Sequence, residues 1–442
     1  MLSGGRSARQ TCGSEKERMI SMEYIKTTQE AAVAGSYDVI VAGGGVAGIS
    51  AALAARRAGR SVLLIEKSGM LGGLATLGLV NYFVPMCNGR GVQVIKGLAE
   101  ELLRLSIRYG YDCLPDEWKD GEPSQPTHVR YYTKYSPSIF AVALTELLNR
   151  EGVKLHFDAL AVRPLMDGNR CEGVFVEDKS GLRFFRGKMI VDTTGDADLL
   201  ARAGVPTAVG GNYHSYIAHA ITLESCRQAA ESGDIGRAVV SRTGGNASLY
   251  GDRQPILTPL YQGGSADEVD RYYINNQIEL FNHIKEEDRR SRDVVMLPQM
   301  PQFRTTRHLV GDYVLRANDA YTHFDDTVAV VCDFERRDFV YEVPLRTLTR
   351  RDYPNFITAG RSASSEGYAW DVLRVIPPAI ATGQAAGEAC ALAIETGADI
   401  AAVDGDVLRV RLEKNGLLVR FEESWVPEHP VGDSAAGVED RT

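Results

Sequence analysis

YDVIVAGGGVAG, Tyr37 to Gly48, is the stretch whose reading decides the fold of this chain. Strand-like residues lead into a glycine run, and the run opens into an Ala-rich segment, 46–58, that reads as a helix. A second apolar run, Ser61 to Ile65, ends in Glu66. Strand, glycine turn, helix, strand and acid in that order form the dinucleotide-binding fingerprint in its required context. Gly43 permits the tight turn, Gly45 lets a pyrophosphate approach the backbone, and Gly48 lets helix and strand pack closely. The helix N-terminus presents free N–H groups and a partial positive charge to the phosphates. Glu66 stands where a carboxylate would hold a ribose 2′-OH, and it would repel a 2′-phosphate, so NADP is the poorest fit.

The 442 residues are too many for one core and suit two or three domains. Hydrophobic content of 44% and charged content of 24% are those of an ordinary globular protein. A net charge of −9, with no Lys/Arg block, argues against a nucleic-acid surface. No apolar run approaches the roughly 20 residues of a membrane-spanning helix. The first 35 residues show no apolar signal-peptide core, and Met19 or Met22 is an alternative start. The seven cysteines (Cys12, Cys87, Cys113, Cys171, Cys226, Cys332, Cys390) form no C-x-x-C pair. That spacing offers no metal or iron–sulfur site and suits a reducing, cytoplasmic setting.

Further along, 67–96 is a Gly-rich loop and 97–108 regains helical periodicity. Residues 110–135 read as a long polar excursion over the surface. Ser136 and Pro137 start a helix that stops near Gly152. Extended segments follow at 153–157, 159–165, 171–177 and 182–191. Residues 206–335 change character, with a long helical stretch at 267–290. The first pattern returns near 340, and a small-residue helix spans about 378–396.

Four motifs in this order resemble the FAD-dependent oxidoreductase family within the glutathione-reductase-type flavoproteins. They are the fingerprint ending in Glu66 and Lys67; LGG at Leu71–Gly73; DTTGDAD at Asp192–Asp198; and NFITAGR at Asn355–Arg361. The last continues to RVIPP at Arg374–Pro378 and GQAAG at Gly383–Gly387. FRTTRHLVG at Phe303–Gly311 also resembles a family pattern, which usually has another Arg where His308 stands. The resemblance covers roughly residues 30–420. It implies an α/β fold: a Rossmann-like FAD-binding domain, with parallel sheet and β-meander, and an inserted α+β substrate or cap domain. The expected division is an N-terminal arm, partly disordered, at 1–35; the FAD-binding domain at 36–205 and 336–400; the cap at 206–335; and a C-terminal helix and tail at 401–442.

The resemblance further implies non-covalent FAD. From the fingerprint it would be held by Gly43, Gly45, Val46, Ala47, Gly48, Glu66 and Lys67. From the middle of the chain it would be held by Gly72, Gly73, Leu74, Ala161, Gly195 and Asp196. From the last motifs it would be held by Gly360, Arg361, Arg374, Pro378 and Gly383. Asp196 reads equally as a helix N-cap for 197–203. Pro377 and Pro378 would begin a helix whose positive end faces the flavin. The small residues from Gly383 onward would let that helix approach the sheet or the cofactor.

For chemistry, Arg304 and Arg307 are spaced to share one face of a helix or turn, and could bind a substrate carboxylate or steady an enolate-like charge. Arg374 could neutralise the pyrophosphate or meet the substrate. His219 is a candidate base, or a core histidine sharing a strand face with Ile221 and Leu223. Glu366, Tyr368 and Trp370 would shape the pocket over the flavin, and Cys87 reads as a free buried thiol. The expected activity is hydride transfer between a small-molecule carbon and flavin N5, through oxidation of a CH–OH group in a sugar, polyol or hydroxy acid. The alternatives are CH–CH dehydrogenation or its reverse on an anionic substrate, as in fumarate-reductase-like enzymes, and a non-catalytic FAD-binding subunit. No second glycine fingerprint marks a nicotinamide domain, so the electron donor or acceptor is external. The reading includes no metal, no nucleic acid and no membrane, and is compatible with a homo-oligomer.

Overall fold

A computed structural model describes residues 28–248 and 251–428. The apolar core of the quoted stretch, Val39 to Ala42, is wholly buried on both faces. That is the signature of a strand inside a parallel sheet covered on both sides. Val39 and Val41 pack into the cluster that contains the first and the long C-terminal helices. Ile40 and Ala42 pack into a second cluster with Ala161, Val174, Phe185 and Leu200.

The strand is Ala32–Ala42, so the register runs further back than the expected start near 37. Ala32 and Val33 pair with Arg183 and Phe184, which draws the end of the supposed N-terminal arm into the sheet. The rest of that arm, 1–27, and the tail beyond 428 lie outside the described residues. The sheet has seven strands. Lys154–His156, Val62–Ile65, Ala32–Ala42 and Gly181–Asp192 lie side by side in parallel. Gly181–Asp192 changes partner along its length. Its first half pairs antiparallel with Arg170–Asp178, continuing to Leu160–Asp167, and its last residues pair in parallel with Phe356–Thr358.

Two small-residue helices cross tightly over one face. Helix Val46–Arg57 buries every residue from Ala47 to Ala55. Its partner is Ile376–Thr396. A Cβ on Gly383 would stand 2.2 Å from the Ala47 carbonyl oxygen, and one on Gly387 2.3 Å from that of Ala51. Ser50 closes the crossing by donating to the Ile380 carbonyl at 2.8 Å.

The region 206–335 holds its own antiparallel sheet of Val240–Gly245, Ser215–Thr222 and Arg292–Met296. Helix Ala266–Glu286 covers it through Tyr272 and Leu280, with Tyr216, Tyr261 and Phe303 completing a separate core. The proposed boundary at 335/336 falls within the hairpin Thr327–Cys332 and Val340–Pro344, which packs with the long C-terminal helix.

Two local expectations are corrected. The 110–135 excursion is not simply surface: Trp118 and Tyr131 are fully buried and stacked at 4.7 Å, because apolar ring area outweighs the polar residues around it. Leu223 does not continue the strand of His219. Thr222 and Ser225 form a reciprocal capping box that starts a helix at Leu223 and leaves that side chain exposed.

Candidate functional site

Five parallel strands end at one edge of the sheet, and the loops that follow them line one cleft of about 320 Å3. Ligands of open α/β sheets bind at this carboxyl edge. Gly45 precedes the first helix at φ −69°, ψ 173° and a Cβ there would meet nothing within 4 Å, so the space beside it is open. Val46 and Ala47 line the cleft with Gly43 and Gly45. Gly48 does not. A Cβ on it would stand 2.0 Å from the Gly43 carbonyl oxygen, so its part is helix–strand packing.

Glu66 is 7% exposed and lines the cleft beside Lys67. Its two oxygens accept from Gly44 N at 2.7 Å and Ser68 N at 2.8 Å. Each oxygen keeps a lone pair for a further donor. Gly72 N donates to the Gly44 carbonyl at 2.8 Å, which brings Gly72, Gly73 and Leu74 into the same wall. Ala161 enters from the meander.

Gly195 lines the cleft, but Asp196 is turned to another task. Its carboxylate accepts from Arg361 Nη2 at 2.7 Å and Thr306 Oγ1 at 2.6 Å. It does not cap the helix Asp198–Arg202; Ala197 holds that position without a side-chain bond. Arg361, 8% exposed, also donates to the carbonyls of Gly195 and Phe303. It therefore staples three segments together while lining the cleft beside Gly360.

The long helix presents Ile376 and Ala379 to the cleft, so two helix N-termini converge on it. Pro378 and Gly383 do not line it; Gly383 faces the other helix, where only a bare Cα fits. Arg374 lines the cleft, donates to Asp371 at 2.7 Å, and keeps a buried Nη2 with no partner. A buried unpartnered guanidinium nitrogen, an open space at Gly45 and two helix N-termini together fit an anionic dinucleotide such as FAD.

The expected arginine pair is divided. The segment is bends up to Thr306 and strand from Arg307, not helix, so the two side chains diverge. Arg307 reaches Asp198 at 3.6 Å. Arg304 instead lies near Arg374; burial first, and then that second cation, push its pKa down to about 10. His219 is buried in the strand Ser215–Thr222 and does not line the cleft. Burial, then Lys134, lowers its pKa, which fits the core-histidine reading. Cys87 is a free buried thiol, with Cys332 beside it at 3.3 Å from its carbonyl oxygen.

Sequence reasoning missed several residues. Asp198 lines the cleft and stands inside a quoted motif; burial first, and then Asp196, raise its pKa. Gln299 and Met300 also line the cleft, because the strap 299–302 bonds to Leu77 and Gly78. No local pattern announces that strap. Among the described residues there is no group of acids, histidines and cysteines fit to hold a metal ion, and no helix long and apolar enough to cross a membrane.

The family described as FAD dependent oxidoreductase matches residues 38–223 and 267–412. No functionally curated protein matches the chain. Solved structures with a similar course include a p-nitrophenol 4-monooxygenase from Pseudomonas putida DLL-E4 (15% identity, 85% of this chain and 84% of that one, TM-score 0.43). A flavoprotein/dehydrogenase from Cytophaga hutchinsonii gives 15% identity, 85% and 82% coverage, and a TM-score of 0.43. A geranylgeranyl bacteriochlorophyll reductase-like protein from Thermoplasma acidophilum gives 13% identity, 88% and 94% coverage, and a TM-score of 0.42.

Proposed function

This chain belongs to the FAD dependent oxidoreductase family, and from that premise we propose that it oxidises a CH–OH group of a small sugar, polyol or hydroxy acid. FAD, when bound, supplies the hydride acceptor at N5. The observation that supports the flavin part of the reading is the convergence of the fingerprint, Gly72–Leu74, Gly195, Gly360 and Arg374 on one cleft. The N-termini of Val46–Arg57 and Ile376–Thr396 would attract the anionic parts of the cofactor. Glu66 would take ribose hydroxyls on its remaining lone pairs. Arg374 Nη2 would find in an anionic oxygen the partner that the protein does not give it. Gln299 and Met300 would close the cleft from the cap side and restrict water. The electrons would leave to an external acceptor. A cytoplasmic location draws support from the described cysteines, all free thiols.

The test is the absorbance spectrum of the purified protein, before and after acid precipitation, followed by anaerobic additions of sugars, polyols, hydroxy acids and saturated acids. Flavin bands that move to the supernatant, and that an alcohol-bearing compound bleaches in the intact protein, are expected. A colourless protein that FAD does not reconstitute overturns the reading. Bleaching by saturated acids alone transfers it to CH–CH dehydrogenation. Bound FAD that no compound reduces points to the non-catalytic subunit.

A further inference from the structure

Next to the cleft lies a second chamber of about 610 Å3. Arg304, His308, Tyr213, Tyr368 and Trp370 line it, with the carboxylates of Glu366 and Asp371. The two chambers share a wall. Trp370 donates its indole N–H to the Arg361 carbonyl at 2.7 Å, and Asp371 holds Arg374, while Arg361 and Arg374 line the cleft.

The charges of the chamber do not cancel. Glu366 is paired with Arg316 at 2.5 Å and Asp371 with Arg374 at 2.7 Å. Arg304 has no ion-pair partner among the described residues, and with a pKa of about 10 it is charged at neutral pH. One half-buried positive charge is thus left over, and it calls for an anion.

His308 adds a directed acceptor. Its Nδ1 lies 2.6 Å from the Leu309 carbonyl oxygen, which can only accept, so Nδ1 carries the proton. Burial lowers the His308 pKa, so the ring is neutral and Nε2 holds a lone pair. The Trp370 ring, edge-on at 4.4 Å, fixes the imidazole. The Tyr368 hydroxyl is engaged by Asp333 at 2.8 Å and Arg336 lies 4.6 Å from the ring centre, so Tyr368 offers the chamber a fixed aromatic wall.

We propose that this chamber binds the acid of a sugar, with its carboxylate on Arg304, one hydroxyl donating to His308 Nε2, and its C–H face against Trp370 and Tyr368. The proposal rests on the reading of the neighbouring cleft as the FAD site, and it narrows sugar, polyol or hydroxy acid to a hydroxylated carboxylate.

The experiment is calorimetric titration of the protein as purified with four probes: glucuronate, its methyl ester, glucose and cyclohexanecarboxylate. Glucuronate is expected to bind at least 10-fold more tightly than the other three. Arg304→Gln should bring glucuronate and its methyl ester within 3-fold of each other. His308→Phe should weaken glucuronate about 10-fold and leave cyclohexanecarboxylate within 2-fold. The ester comparison is made on wild-type protein, so it stands even if a variant fails to fold. Equal binding of glucuronate and its ester, no binding of glucuronate, or an Arg304→Gln protein that keeps the preference overturns the proposal. The flavin spectrum is recorded in the same samples. Glucuronate binding without bleaching upholds the chamber and counts against hydride transfer from this acid. Bleaching by glucose and glucuronate alike does the reverse.

Discussion

Gly45→Ala separates cofactor binding from folding. The backbone at Gly45, φ −69° and ψ 173°, is open to any residue, and an added Cβ would meet nothing within 4 Å. Loss of unfolded-state freedom favours the alanine by about 0.4–1 kcal/mol. Alanine is the poorer residue before a helix, by a similar amount. The stability of the apoprotein should therefore change by less than about 1 kcal/mol. The methyl group, however, occupies the open space at the N-terminus of Val46–Arg57, where the anionic part of FAD would lie. Pushing an anion back by about 1 Å weakens two charge-assisted N–H bonds, each worth about 1.5–3 kcal/mol. A partial loss of about 2–4 kcal/mol corresponds to a dissociation constant raised roughly 30- to 1,000-fold. The assay is titration of FAD into apoprotein, by quenching of flavin fluorescence, beside thermal melts of both apoproteins. An unchanged dissociation constant would refute the placement of the anion at Gly45. A sharp fall in apoprotein Tm would refute the claim that the space is empty.

Three other outcomes are expected. Gly383→Ala gains about 1 kcal/mol of helix propensity but sets a methyl 2.2 Å from the Ala47 carbonyl oxygen and from Ser50 Oγ. Overpacking of about 1–3 kcal/mol should win, so thermal melts should show a lower Tm with or without FAD; a higher Tm sinks the close-crossing argument. Arg361→Met should cost about 1–3 kcal/mol by leaving the partly exposed Asp196 carboxylate and the carbonyls of Gly195 and Phe303 without their donor, and Asp196→Asn in the same chain should recover part of it in urea unfolding; wild-type stability of the single variant would contradict the staple. Burial pushes the Asp38 carboxyl up, but hydrogen bonds from Lys188 and Ser61 outweigh it and hold it at about 2. A depressed carboxyl gives stability that is complete above its unfolded pKa of about 4 and lost as pH falls through the folded one. Asp38→Asn should thus lower Tm at pH 7, with the gap to wild type shrinking as pH falls from about 4 towards 2; a Tm difference that does not change with pH would count against it.

The motifs that the chain carries in short, unbroken runs led to the cleft. Gly43, Gly45, Glu66, Gly72, Gly195 and Gly360 all line it. Each sits in a loop directly after a strand or beside one, where local sequence dictates backbone geometry and the parallel sheet gathers the loops at one edge. Four of the expected residues fall outside it. Gly48, Asp196, Pro378 and Gly383 stand in the right motifs but do not line the cleft, and for three of them the neighbours are protein atoms from distant segments: Thr193 at Gly48, Arg361 at Asp196 and Ala47 at Gly383. A motif fixes the main chain of its own residues, but not what packs against them.

What the sequence by itself determined is therefore the backbone: the strand–turn–helix at Tyr37–Arg57, the meander, the long small-residue helix and the edge at which ligands gather. Hydrophobic period and glycine position are local properties, readable within one short window of the chain. What only the tertiary structure decided is the company that side chains keep. It sent Arg304 to Arg374 and Arg307 to Asp198, stacked Trp118 on Tyr131, laid Gln299 against Leu77, and set His308 edge-on to Trp370. Several of these pairs are separated by tens to hundreds of residues. Their meeting depends on packing of whole elements, which no short window of sequence contains.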